Sequence, residues 1–171
     1  MSTINQARFP EDRQYVEQLF KELAQFLYDN IYKRFGEGFD IEGMVSGWMA
    51  LSHEFFYPKG CLVLASVDSE FVGIAGLRTI GEKLGEIKHF YVRPPYRRRG
   101  LARDMLNALI EHSLSIGHTV LRLDTGWFME AAQAFYHSFG FQDISPYPES
   151  EVPEEIYPFW VFMEKALIAQ T

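Results

Sequence analysis

Cysteine is almost absent: the 171 residues contain one, Cys61, so no internal disulfide and no cysteine-rich metal site can form. It stands in the apolar run Cys61-Leu62-Val63-Leu64-Ala65, where packing is its expected role. Long apolar runs are missing too. No stretch approaches the roughly 20 residues of a membrane helix, and the polar segment Met1–Pro10 lacks the apolar core of a signal peptide. The expectation is a cytoplasmic protein with no membrane partner. Internal repeats, low-complexity tracts and Gly/Ser linkers are lacking as well. With 47% apolar and 16% aromatic residues, the chain suffices for one core and is short for two ordinary domains. A single domain over 1–171 is expected.

Positive charge is in deficit. The net charge of −7 argues against nucleic acid as a partner, because such binding rests on a basic surface that neutralises phosphates. The distribution says more than the sum. Five of the sixteen basic residues, Arg93, Arg97, Arg98, Arg99 and Arg103, fall within eleven positions, while Asp143 to Glu155 carries five acids and no base. One region suits an anion and another a cation.

Single glycines and prolines punctuate the chain between short elements. A short strand is predicted at Thr3–Arg8, followed by a helix opened by Pro10-Glu11-Asp12, with Tyr15, Leu19, Leu23, Phe26 and Leu27 at helical spacing, and a second helix over Asp40–Phe55. Cys61–Val67 and Phe71–Thr79 read as an antiparallel hairpin, and Gly85–Val92 as the next strand. Gly100–Ile116 sets Ala102, Met105, Leu106, Leu109 and Ile110 on one helical face, closed by Gly117. Thr119–Thr125 alternates like a strand, Met129–Phe139 returns to helix, and Phe141–Ile144 and Pro158–Glu164 close the sheet. The order predicts an α/β fold: a mixed sheet with helices on both faces and one locally parallel strand pair.

The chemistry concentrates in Phe90-Tyr91-Val92-Arg93-Pro94-Pro95-Tyr96-Arg97-Arg98-Arg99-Gly100-Leu101-Ala102, where a strand passes through a basic, glycine-containing turn into an amphipathic helix. The first turn of a helix leaves backbone N–H groups unpaired and carries partial positive charge, which suits a pyrophosphate. Three consecutive arginines there oppose the helix dipole unless an anion compensates.

Arg97-x-x-Gly100-x-Ala102 resembles the Gln/Arg-x-x-Gly-x-Gly/Ala signature of the GNAT N-acetyltransferases, and Ala134-Phe135-Tyr136-His137-Ser138-Phe139-Gly140-Phe141 resembles the closing Ala-x-x-Tyr-x-x-x-Gly-Phe of that family. The segments Glu86-Ile87-Lys88, Tyr91-Val92-Arg93-Pro94 and Leu121-Arg122-Leu123-Asp124-Thr125, with Tyr147 and Phe162-Met163-Glu164, are similar to a widespread bacterial subgroup. The resemblance implies the acyl-CoA N-acyltransferase fold: a mostly antiparallel sheet of six or seven strands, in which the central parallel pair splays apart to admit the pantetheine arm. The cofactor-binding core would span about 60–165, and the N-terminal helices, about 10–55, would contribute to the acceptor site.

The resemblance further implies acetyl-CoA as cosubstrate and no metal. Phe90 and Val92 would supply main-chain bonds to pantetheine, the amide near Phe90 or Tyr91 would polarise the thioester, and Arg97, Arg98, Arg99, Gly100, Leu101 and Ala102 would hold the pyrophosphate. Tyr136 matches the tyrosine that protonates the leaving thiolate. Glu86, eleven residues before Arg97, matches a strand glutamate that takes the amine's proton in several members; His89 and Asp124 are the alternatives. Strand alternation puts Glu86 on the face of Lys88 and Phe90, opposite His89. One departure is Trp127-Phe128-Met129-Glu130-Ala131-Ala132, which lacks the asparagine that many members place near the start of the last helix.

The acceptor is expected to be a small-molecule or peptide amine. Aromatic residues from Tyr28 to Tyr57, with Trp127 and Phe128, and the acids Glu149, Glu151, Glu154 and Glu155 are candidates to attract it, and a homodimer stays open. The competing reading is a non-catalytic acyl-CoA-binding module that regulates; a nucleic-acid-binding domain conflicts with the acidic total.

Overall fold

In the computed structural model, which describes residues 1–167, seven strands form one sheet in the order β1-β2-β3-β4-β5-β7-β6. They are β1 (Ser2–Gln6), β2 (Gly60–Val67), β3 (Glu70–Gly81), β4 (Leu84–Val92), β5 (Val120–Gly126), β6 (Gln142–Ile144) and β7 (Trp160–Ala166). Every neighbouring pair is antiparallel except β4 with β5. The helices are α1 (Arg13–Phe35), α2 (Ile41–Ala50), α3 (Leu101–Ser115) and α4 (Glu130–Ser138), with a 3-10 turn at Ser52–Phe55. The expected second helix therefore divides into α2 and that turn. Asp68 and Ser69 close the β2–β3 hairpin with φ of 48° and 71°, the left-handed pair whose twist matches the flanking strands.

Two apolar layers sandwich the sheet. On one face α3 contributes Leu101, Met105, Leu106 and Leu109 and α4 contributes Tyr136, packed on Val63, Ala75, Leu77, Ile87 and Leu123. On the other, Val16, Leu19, Phe20 and Leu23 of α1 and Val45 and Met49 of α2 cover Leu62, Leu64, Ile74 and Tyr91. Cys61 lies in the first layer, and burial pushes its thiol up to about 11, so it packs as expected and is not a nucleophile.

A β-bulge interrupts the alternation of β4. From Gly76↔Lys88 to Ile74↔Tyr91, β3 advances two residues and β4 advances three, and the extra residue, His89, takes a left-handed φ of 55°. Its ring consequently packs on the α1/α2 face, against Phe20 at 4.7 Å, Trp48 at 4.7 Å and Phe55 at 5.3 Å. Phe90 faces the other way, 6.0 Å from both Phe135 and Tyr136 of α4. This corrects the face assignment made from simple alternation, which grouped Phe90 with Glu86 and set His89 opposite.

Phe55 reaches this region because β3 carries glycine beneath it: a Cβ on Gly76 would stand 2.6 Å from its ring. Gly76→Ala should therefore cost about 1–3 kcal/mol by overpacking, read as a lower urea midpoint. An unchanged midpoint would mean that the ring moves aside freely.

Candidate active site

The parallel β4–β5 ladder runs from Leu84↔Val120 to Ile87↔Leu123 and stops. Beyond it the strands diverge, and the β5-facing edge of Lys88–Val92 is left without a strand partner among the described residues. An unpaired edge of this kind can receive an extended ligand as though it were a strand. Phe90, Tyr91 and Val92 lie along it, and the Val92 carbonyl accepts a 2.8 Å hydrogen bond from Arg97 Nε.

The strand then enters the basic turn. Gly100 is left-handed at φ 87°, and a Cβ there would meet nothing within 4 Å, so the glycine serves backbone conformation rather than space. No backbone acceptor meets the N–H groups from Arg98 to Arg103 among the described residues. These groups, with the helix dipole behind them, are available to an anion.

The arginines divide their labour in a way the sequence did not reveal. Arg97 folds back over the rings of Phe26 and Tyr91, at 5.2 and 5.9 Å. Arg93 is held by Glu22 at 2.7 Å and by Glu70 at 2.6 Å. Both brace the turn. Arg98 has a left-handed φ of 61°, Arg99 lies over Tyr96, and these two make no ion pair among the described residues. Leu101 is buried in the core and can offer an anion only its main chain, while Ala102 packs against the first apolar layer from a partly buried position.

On the α1/α2 face, Glu86 is completely buried, with 0% exposure. Its Oε2 receives Arg78 Nε at 2.8 Å and its Oε1 receives the Tyr147 hydroxyl at 2.7 Å. Arg78 in turn reaches Glu54 at 2.7 Å and Glu151 at 2.8 Å. Burial works against the charge on Arg78, but Glu86, Glu151 and Glu54 outweigh it and raise its pKa. Burial, reinforced by Glu86 and Asp124, raises that of Tyr147, which stays a neutral hydroxyl donor.

Asp124 is engaged on both oxygens, by Trp160 Nε1 at 2.7 Å and Lys88 Nζ at 3.1 Å. Burial would depress Lys88; Asp124, Glu86 and Glu151 more than offset this, and its pKa rises. On the α3/α4 face, the buried Tyr136 hydroxyl is held protonated by desolvation, assisted by Asp124. A surface concavity of about 840 Å³ lined by Arg8, Phe9, Arg13, His53 and Phe56 shares no residue with this region.

Sequence reasoning missed Arg78 and Glu54 and gave Tyr147 no role. One signal was available. Arg78 and Glu86 lie four residues either side of Glu82 in a tight hairpin, and the structure pairs them directly, which sets opposite charges side by side.

The family model described as "Acetyltransferase (GNAT) family" matches residues 17–141. The chain belongs to the GNAT acetyltransferase family. It is 32% identical over 91 residues to an uncharacterized N-acetyltransferase, YsnE, of Bacillus subtilis, a match covering 52% of this chain and 60% of that protein. The matches thus span about 60% or less of the curated relatives' own length. Among solved structures, a GNAT-family acetyltransferase from Staphylococcus aureus Mu50 superposes with a TM-score of 0.76 at 18% identity, covering 98% of this chain and all, 100%, of that one. The PaiA N-acetyltransferase from Thermoplasma acidophilum, solved with coenzyme A, gives 0.73 at 17% identity, covering 97% and 99%. These likenesses confirm the GNAT acyl-CoA N-acyltransferase fold. No helix among the described residues is long and apolar enough to cross a membrane.

Two measurements test this electrostatic arrangement. Arg78→Leu strands the buried Glu86 and should lose about 3–5 kcal/mol in chemical denaturation, whereas Glu151→Gln, at a half-exposed position, should lose less than about 1 kcal/mol. Equal losses would contradict it. The second concerns protons. Burial lowers the folded pKa of both His89 and His118 below 6.5, with Lys88 and Arg78 adding to the effect on the first and His112 on the second. The unfolded chain then binds more protons than the fold in that window, so stability is fully present above the ordinary histidine value and falls as pH drops below it. His118→Asn should show a shallower decline in melting temperature between about pH 7 and 5.5 than the wild type.

Proposed function

We propose that this chain is an acetyl-CoA-dependent N-acetyltransferase, one cytoplasmic domain that passes an acetyl group directly to the amine of a small molecule or peptide. The observation that carries the reading is the splay of β4 from β5 placed directly upstream of the unbonded N–H groups at the start of α3. A pantetheine arm along Phe90–Val92 and a pyrophosphate on Gly100, Leu101 and Ala102 fit that edge and those N–H groups, with Arg98 and Arg99 adding charge. Arg97 acts by bracing β4 through the Val92 carbonyl.

The residues then divide by face. Tyr136, neutral and lodged against Phe90, would give its proton to the departing thiolate. Main-chain N–H groups of Phe90 or Tyr91 are suited to stabilise the oxyanion that develops as the amine attacks. On the opposite face, Glu86 fixes Arg78 and Tyr147. Together with Asp124, Glu54 and Glu151 these groups surround Arg78 and Lys88 with more negative than positive charge, which favours an incoming ammonium.

Isothermal titration with acetyl-CoA, followed by thiol release against a panel of amines, tests the reading. Binding in the micromolar range with amine-dependent release is expected. Tyr136→Phe should lower kcat by about 10²–10⁴-fold while leaving acetyl-CoA affinity unchanged. Binding without release from any amine would favour the regulatory module, and no binding would overturn the assignment.

A further inference from the structure

Three groups on β4 and β5 could take the proton that the attacking amine must lose: Glu86, Asp124 and His89. Glu86 is sealed from solvent, with 0% exposure and both oxygens accepting hydrogen bonds from Arg78 and Tyr147. Asp124 is held on both oxygens by Trp160 and Lys88. Neither carboxylate therefore keeps an oxygen free of a hydrogen-bond donor, and an incoming amine would have to displace one of these partners to reach it.

His89 differs in its partners: the ring is partly buried but receives no hydrogen bond. It stands at the bulge, two residues past the last β4–β5 pair at Ile87↔Leu123, where the strands have parted. Its left-handed backbone, with φ 55°, turns the ring out of the β4 alternation and onto the face covered by α1 and α2. Phe20, Trp48 and Phe55 hold the ring by packing alone. Neither nitrogen makes a hydrogen bond with the described residues, so the lone pair of the neutral ring has no donor to displace. Burial, with Lys88 and Arg78, keeps the imidazole neutral at physiological pH.

We infer that His89 is the proton acceptor for the attacking amine, a reading that rests on the acetyltransferase assignment. The acceptor ammonium first gives one proton to solvent; the neutral amine nitrogen then bonds to the acetyl carbonyl carbon as the carbon–sulfur bond breaks. The nitrogen's proton passes to the free ring nitrogen of His89, and the thiolate takes the Tyr136 proton from the other face of the sheet. Solvent returns the proton from imidazolium to phenolate, so the pair ends as it began. A weakly basic imidazole suits the task, because the nitrogen becomes strongly acidic only after it has attacked.

The test uses two variants of the full chain. His89→Gln removes the base at similar volume. His89→Gly removes the ring at a backbone conformation that glycine adopts freely, which protects the experiment against misfolding. Both should lower kcat/KM for the amine by about 100-fold or more with acetyl-CoA affinity by titration unchanged, and added imidazole should restore part of the His89→Gly rate. Wild-type rates within about threefold in either folded variant would overturn the proposal. So would a comparable loss in Glu86→Gln at unchanged melting temperature with no loss in His89→Gln. Absence of thiol release in the wild type would instead remove the acetyltransferase reading beneath it.

Discussion

The ladder between β4 and β5 lasts four residue pairs, and the rest of the site depends on where it ends. Had it continued to Val92, the backbone groups of Phe90 and Val92 would be bonded to β5, and no extended ligand could enter. The strands can part because each has other support: β3 pairs with β4 up to Val92, and β7 pairs with β5 through Gly126. Neither half of the sheet relies on the missing bonds. The bulge at His89 belongs to the same device, since an extra residue in β4 strengthens its local twist and draws it away from its parallel neighbour.

The second constraint is electrostatic. Arg78 and Lys88 point to the same side of the splay, and each is shared among carboxylates from different elements: β4 (Glu86), the turn after α2 (Glu54), β5 (Asp124) and the loop before β7 (Glu151). A buried arginine stripped of its partners would be strongly destabilising. The cluster therefore ties four separate segments to one point. Tyr147 adds the late loop through its bond to Glu86, and Arg122 lies 5.0 Å over the Tyr147 ring. The loop that carries Glu149 and Glu151, read from sequence as an acidic attractor for the acceptor, is in fact half neutralised by Arg122, Arg78 and Lys88. It acts first as a strap across the sheet.

These two constraints explain which features were legible beforehand. Helical periodicity located α3 within a residue at each end, because its buried stripe of Leu101, Met105, Leu106 and Leu109 is long and its flanks are marked by Gly100 and Gly117. The strand-to-helix turn was legible for a similar reason: Gly100, left-handed in the structure, and the run of arginines are local signals. What failed to show was non-local. An alternation rule assumes an unbroken strand, and nothing in Lys88-His89-Phe90 announces that His89 is the residue left over when β3 and β4 pair. Likewise Arg97 looked like a phosphate ligand until Phe26, from a helix some seventy positions earlier, supplied a ring for it to cover.

The bulge does more than re-aim one side chain. It places His89 on the face of α1 and α2 and the next residue, Phe90, on the face of α3 and α4. Regular alternation would also set neighbours on opposite faces, but in the reverse sense, with His89 toward Tyr136 and Phe90 toward Trp48. In the proposed reaction, proton acceptor and proton donor would then crowd one side of the gap. The extra residue sets His89 and Tyr136 on opposite sides of the sheet, which under the proposed mechanism lets the amine approach one side of the thioester while the thiolate departs on the other. A left-handed, non-glycine backbone is unfavourable by about 1–2 kcal/mol, and retaining histidine there is understandable if the separation is what the strain secures.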